Sequence, residues 1–140
     1  MKTQCNPSQL EFHALGKRKV IGKFDGGNIT SDAGGLLLRE TENRTGIIRQ
    51  FAQCFTDMRN PKQIEHTVKE LVSQRVYGLA LGYEDLNDHD ELRRDPLLAV
   101  LVGKSDPEGE TRLRKKDRGK AMAGKSTLNR LELTPKDPTS

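Results

Sequence analysis

The chain contains no tryptophan, only two tyrosines and only four phenylalanines. So little aromatic surface excludes a large aromatic core. It also argues against a single-strand nucleic-acid platform on which bases stack. There are two cysteines, Cys5 and Cys54, far apart and without a C-x-x-C pair. Free thiols in a cytoplasmic protein are the expectation, not a disulfide scaffold. The three histidines, His13, His66 and His89, show no H-x-x-x-H or Cys/His spacing, so no zinc site is read from them. His66 is expected to be a surface or internally satisfied side chain. No serine stands in a nucleophile-elbow pattern. No stretch approaches the ~20 apolar residues of a membrane span. The N-terminal "MKTQCNPSQLEFHALGKRK" lacks the apolar run of a signal peptide. The protein is expected to be cytoplasmic, with no membrane partner.

What the chain does carry is charge. Charged residues make up 31% and hydrophobic ones 33%, with a mean hydropathy of -0.75. A chain of 140 residues has the length of one ordinary domain. With this composition it can bury one modest core, but not its whole length. Either part of it lacks fixed structure, or it is a piece of a larger protein. The net charge of +4 permits nucleic-acid binding without requiring it.

Along the chain, residues 1–18 read as a polar, mobile arm. Val20, Ile21 and Phe24 suggest a short strand, followed by turn chemistry at Asp25-Gly26-Gly27-Asn28. A lone strand needs a partner, either elsewhere in the chain or outside it. Helices are expected near 31–45, 47–56, 61–81, 86–94, 96–102 and 126–132. Ser31 or Asp32 would cap the first, with Leu36, Leu37 and Leu38 on its apolar face. Asn60-Pro61 would open the longest, with Leu71 and Val72 in its core. The fold class is thus mainly α with a short N-terminal strand or hairpin. The divisions are an arm at 1–18, a helical region at 19–103, a basic flexible linker at 104–123 that should be exposed and mobile, and a short helix and tail at 124–140.

Three charged or glycine-rich features invite a chemical reading. "GKAMAGKS" matches the phosphate-loop pattern G-x-x-x-x-G-K-[ST], with Gly119, Gly124, Lys125 and Ser126. Such a loop follows a buried strand, and the preceding "EGETRLRKKDR" is too charged to be one. A flexible basic loop running into a helix capped by Ser126 or Thr127 is the blander reading and the better one. The acids Glu84, Asp85, Asp88, Asp90, Glu91 and Asp95 cluster around His89. Metal-dependent nucleases use convergent carboxylates, but those come from separated elements. An EF-hand also fails: counted from Asp85, the turn glycine falls on Asp90 and the closing glutamate on Pro96. A solvated face pairing with Arg93 and Arg94 is favoured.

The third feature is basic. Lys17, Arg18 and Lys19 form one run. Arg112, Arg114, Lys115, Lys116, Arg118 and Lys120 form another, six cations within nine residues. Exposed runs of this kind suit phosphate contacts. They equally suit a merely soluble linker.

Three stretches, "FDGGNITSDAGGLLLRE", "QRVYGLALGYEDLNDHDELRRDP" and "KSTLNRLE", resemble the N-terminal part of bacterial insertion-sequence transposases of the DDE group-1 type. The resemblance runs in order over roughly residues 20–133. It implies a larger RNase-H-like enzyme whose Asp, Asp and Glu bind two Mg²⁺ ions. In such enzymes the first catalytic Asp is expected after the segment similar to "KSTLNRLE". No residue here matches that triad, so a truncated transposase that should not cut or join DNA alone is expected. No catalytic residue, metal ligand or cofactor is assigned to the chain itself; Mg²⁺ belongs to the complete enzyme. The implied partner is DNA, bound through the two basic runs, with a possible homo-oligomer. The alternative is a non-enzymatic module that pairs with, or competes against, full-length transposase.

Overall fold

The structure is a computed structural model, and it describes residues 9–27 and 29–133. It opens with an antiparallel hairpin, β1 (Gln9–Leu15) and β2 (Arg18–Lys23). Register runs from Gln9 opposite Lys23 to Leu15 opposite Arg18, with an irregularity between Phe12 and Leu15. Gly16, at φ 58, makes the tight turn that a side chain would strain. The strand expected around Val20 is therefore real. Its partner comes from the segment read as a mobile arm, so that reading is corrected for residues 9–18. Residues 1–8, with Cys5, and Asn28 of the expected turn lie outside the described residues, as do 134–140. Cys54 is a free, exposed thiol.

Helices follow: α1 (Gly35–Thr45), α2 (Ile47–Ala52), α3 (Val68–Ala80), α4 (His89–Leu92), α5 (Pro96–Val102) and α6 (Lys125–Glu132). Neither Ser31 nor Asp32 caps α1, which begins after Gly34 without a side-chain cap. Asp32 instead accepts the Tyr83 hydroxyl at 2.7 Å. Gly35 lets α5 approach closely: a Cβ there would lie 2.6 Å from Leu101 Cδ1 and would make that side chain shift. Of the expected apolar face only Leu36 is buried, while Leu37 and Leu38 are exposed. The buried neighbour is Arg39, whose guanidinium donates to the His13 and Ala14 carbonyls. Those carbonyls sit at the irregularity of β1, so Arg39 takes up acceptors the ladder leaves over.

The long helix expected over 61–81 is two elements. Asn60 caps only a 3-10 turn, Pro61–Gln63, accepting from Lys62 N at 3.1 Å. The true start of α3 is Thr67, whose hydroxyl accepts from Glu70 N while the Glu70 carboxylate accepts from Thr67 N. This capping box supplies partners that a propagating helix from Pro61 would not need, and it wins locally. The expected helix at 86–94 likewise divides into a 3-10 turn, Leu86–Asp88, and α4. At α5 the reading holds without change: Asp95 accepts from Leu97 N at 2.8 Å, Pro96 opens the helix and Gly103 closes it at φ 89.

The core joins Leu36, Val72, Tyr77, Leu98, Ala99 and Leu101 from α1, α3 and α5. Phe12 and Val20 of the hairpin pack against it. A smaller cluster sets Leu71 of α3 against Ala123 and Leu128. Leu71 and Val72 are both 2% exposed, so α3 does organise the fold. Arg75 of α3 ties α6 down, with Nε 2.7 Å from Glu132 Oε1.

Candidate nucleic-acid interface

The segment between α5 and α6 differs most from a flexible linker. Asp106 folds its first half, accepting from Gly109 N, Thr111 N and the Thr111 hydroxyl at 3.1, 2.7 and 2.7 Å. These bonds, the Thr111 backbone first, hold the Asp106 carboxyl below its ordinary pKa. Gly109, at φ +70, lies so close to the returning chain that a Cβ would approach Lys120 and Ala121 backbone atoms to 2.6–2.8 Å. The Gly119 amide donates to the Gly109 carbonyl at 3.0 Å and closes the loop. Arg112 crosses it, donating to the Lys120 carbonyl and to Glu65 Oε2, both at 2.6 Å.

The loop then enters the core. Ala121, Met122 and Ala123 are 2–3% exposed, so the expectation of exposure across 104–123 fails at that end. Gln74 of α3 clamps Ala123: its Oε1 accepts from Ala123 N at 3.1 Å, and its Nε2 donates to Ala123 O at 2.8 Å. The second Nε2 proton faces His89 Nδ1 at 3.1 Å. With the amide so oriented, His89 must accept at Nδ1 and carry its own proton on Nε2. Among the described residues that Nε2 is buried without a partner, against Gly78. Burial, and then the positive charge of Arg75, lower the His89 pKa. Charging this ring would place two donors face to face.

This frame distributes the basic residues unequally. Arg114, Lys115, Lys116 and Arg118 are exposed, around a 3-10 turn at Lys115–Asp117. Arg112 is spent internally on Glu65 and the loop, and Lys120 Nζ donates to the Lys116 carbonyl at 2.9 Å. Lys17, Arg18 and Lys19 are exposed at the hairpin turn. The hairpin packs on α1 and the loop on the 65–74 segment, so the two runs are carried by different elements. Beside the loop, His66 is buried, and burial, then Lys104 and Arg112, lower its pKa to about 4. Burial works against the Glu70 carboxylate, but the Thr67 amide and Lys104 outweigh it, leaving its pKa below the ordinary value.

The phosphate-loop letters take a different role. Gly124 precedes α6 and neither Ser126 nor Thr127 caps it. The first helical amide, Lys125 N, donates to Asp90 Oδ1 at 3.1 Å, and Lys125 Nζ reaches Asn87 Oδ1 at 2.9 Å. The chain's own carboxylate thus stands where a nucleotide phosphate would bind. Among the described residues the only sheet is the N-terminal hairpin, so no strand leads into the loop. The acidic cluster is similarly dispersed. Asp85 accepts from the Asn87 amide, Asp95 caps α5, Asp90 serves α6 and Glu91 faces Arg94 at 3.9 Å.

A family model described as Transposase DDE domain group 1 matches residues 12–140. The chain belongs to that family. No curated protein and no solved structure matches it. Transposases with a DDE domain typically use a divalent metal. Among the described residues no three Asp, Glu, His or Cys side chains are grouped to hold one, and Asp85, Asp90, Glu91 and Asp95 are committed to helix starts and ion pairs. Among the described residues no helix is long and apolar enough to cross a membrane.

Residue-level reasoning missed Gln74 and Arg93. Gln74 sits in an apolar stripe, where a lone amide signals an internal partner. Residue order places Arg93 on the acidic face, but its Nε donates to the Asp90 carbonyl at 3.0 Å and its side chain lines the hollow beside the loop. The signal was the doublet itself. Adjacent helical residues point about 100° apart, so Arg94 and Arg93 cannot serve one face.

Proposed function

We propose that this transposase chain engages DNA in the transposition of an insertion sequence, and that the described residues do not themselves cut or join strands. The observation that carries the reading is the loop at 114–118. Four exposed cations stand on a backbone fixed by Asp106, Gly109, Arg112 and Gln74. A fixed array of cations loses less conformational entropy on meeting phosphates than a free linker would. Lys17, Arg18 and Lys19 supply further phosphate contacts from the hairpin turn. Arg112 and Lys120 support the loop through their internal bonds. The engagement of Asp85, Asp90, Glu91 and Asp95 in helix starts and an ion pair supports the non-cutting half of the proposal. Titrating the chain with duplex DNA across salt concentrations tests the first half. Expected is affinity that falls steeply with salt; undetectable binding at low salt, or a flat salt response, overturns it. A nicking assay with Mg²⁺ tests the second, with intact DNA expected.

A second reading, a module that pairs with another transposase chain, is favoured by one observation. Phe24 and Ile29 are 83% and 85% exposed beside β2, whose outer edge pairs with nothing among the described residues. Co-purification with a full-length family member is the expected result under this reading. Retention by Phe24→Ser and Ile29→Ser variants would count against it.

A further inference from the structure

Two adjoining hollows lie beside the loop. One, of about 240 Å³, is lined by Arg93, Arg112, Arg114, Lys116 and Lys120, against the carboxylates of Glu65 and Asp117 only. The other, of about 420 Å³, is lined by Arg59, Lys62, Arg114 and Arg130, with Glu65 as its only carboxylate. Glu65, His66, Arg114 and Thr127 line both, so the hollows form one continuous groove with Arg114 at its divide.

The groove's charges are not mutually satisfied. Glu65 is taken by Arg112, and Arg59 by Asp57 at 2.8 Å. Among the described residues the side chains of Lys62, Arg114 and Lys116 have no partner, while Arg93 donates through Nε to the Asp90 carbonyl and its charge also acts on the Asp90 carboxylate. Gly124 makes room for Arg93, since a Cβ there would come within 2.8 Å of Arg93 Nη1. A concave surface with a surplus of one sign focuses its field outward and gains by meeting the opposite charge. The cations are spread over both hollows rather than gathered in one, and no Phe, Tyr or Trp lines either hollow as a face on which a base could stack.

We propose that this groove is a track for the sugar-phosphate backbone, taking successive phosphodiester groups on either side of Arg114, with Arg93 and Lys116 on one side and Lys62 on the other. This rests on the DNA-engaging reading above, and adds Arg93 and Lys62 to the cations of the loop. It requires no nucleotide and no Mg²⁺. Phosphate oxygens are met by side chains, while the α6 start stays with Asp90.

The test compares Lys62→Gln, Arg114→Gln and Lys116→Gln in the 140-residue chain, with Arg44→Gln, an exposed residue of α1, as reference. All four positions are solvent-facing, and circular dichroism checks that each variant keeps its helices. In duplex-DNA titrations each groove variant should lower the salt slope by about one, whatever the DNA sequence, and Arg44→Gln should leave it unchanged. Salt-dependent binding in which the groove variants behave like Arg44→Gln overturns the track and leaves DNA engagement to the hairpin. Should the chain bind no DNA, the broader reading fails. Inorganic phosphate then judges the groove alone, through backbone amide shifts in NMR. Shifts confined to Lys62, Arg114, Lys116 and Thr127 support an anion track, and none at those positions overturns it.

Discussion

Lys17, Arg18 and Lys19 crown a two-stranded hairpin, whereas Arg114, Lys115, Lys116 and Arg118 ride a loop fastened by Asp106 at one end and by the buried Gln74 at the other. The hairpin is held by Arg39, by Glu40 accepting from His13 N at 2.6 Å, and by one face of Phe12, Leu15 and Val20. A two-stranded sheet is marginal without such docking. The loop is held by Asp106, by Arg112 and by the Gln74–Ala123 clamp, and the last of these reaches into the helical core. Runs that look alike in composition therefore differ in how far their charges are pre-positioned. They also differ in use: every cation of the hairpin run is exposed, while Arg112 has become a structural member of its own loop.

The contrast can be broken most forcefully at Gln74. Gln74→Leu keeps the volume but strands the Ala123 amide and carbonyl and His89 Nδ1, all buried. A loss of about 4 kcal/mol is expected, from about 1–3 kcal/mol per unsatisfied group. Urea denaturation measures it, and proteolysis should then cut first within 104–123 while leaving the hairpin intact.

Acid should act on the loop side through His66. Its folded pKa of about 4 lies below the unfolded value of about 6.5. Stability from keeping it neutral is complete above about pH 6.5. It is lost as pH falls toward 4, because the unfolded chain takes up a proton the fold refuses. The loss amounts to about 3 kcal/mol. His89 is shifted in the same direction and adds to it. Below that window the lowered carboxyls of Glu70 and Asp106 continue the decline as they protonate. Melting temperatures between pH 7.5 and 4 check this; a profile flat down to pH 5 would show that His66 is free to charge.

The smallest effects sharpen the comparison directly. Arg112→Gln breaks a pair whose side chains are only 15% and 26% exposed, and about 2 kcal/mol of stability should go with it. Lys19→Gln, exposed in the hairpin run, should change stability by less than about 0.5 kcal/mol. Equal costs for the two substitutions would erase the distinction between a structural and a free cation.

Much of the helical framework was legible in residue order. Asp95-Pro96 and Gly103 define α5 because capping and proline geometry are local. The mainly α class with a hairpin and the transposase family were legible as well. The 61–81 stripe reads as one continuous helix, yet Thr67-Val-Lys-Glu70 inside it is a capping box, and that nearer signal sets the start of α3. The exposed basic residues are visible as letters; the placement of Arg93 and Lys62 beside 112–118 is not, because only the folded chain brings them there.

Sequence by itself determined where this chain can start and stop its helices, and how much apolar surface it has for a core. Both depend on neighbours within a few residues. Tertiary structure alone decided that 104–123 is a built loop and that Asp90 occupies the start of α6. It also decided that Arg112 is a structural member of its loop while Arg114 is exposed. Those outcomes rest on pairings such as Gln74 with Ala123 and Arg112 with Glu65, separated by 49 and 47 residues. Such pairings become favourable only once the core has excluded water from the groups they satisfy.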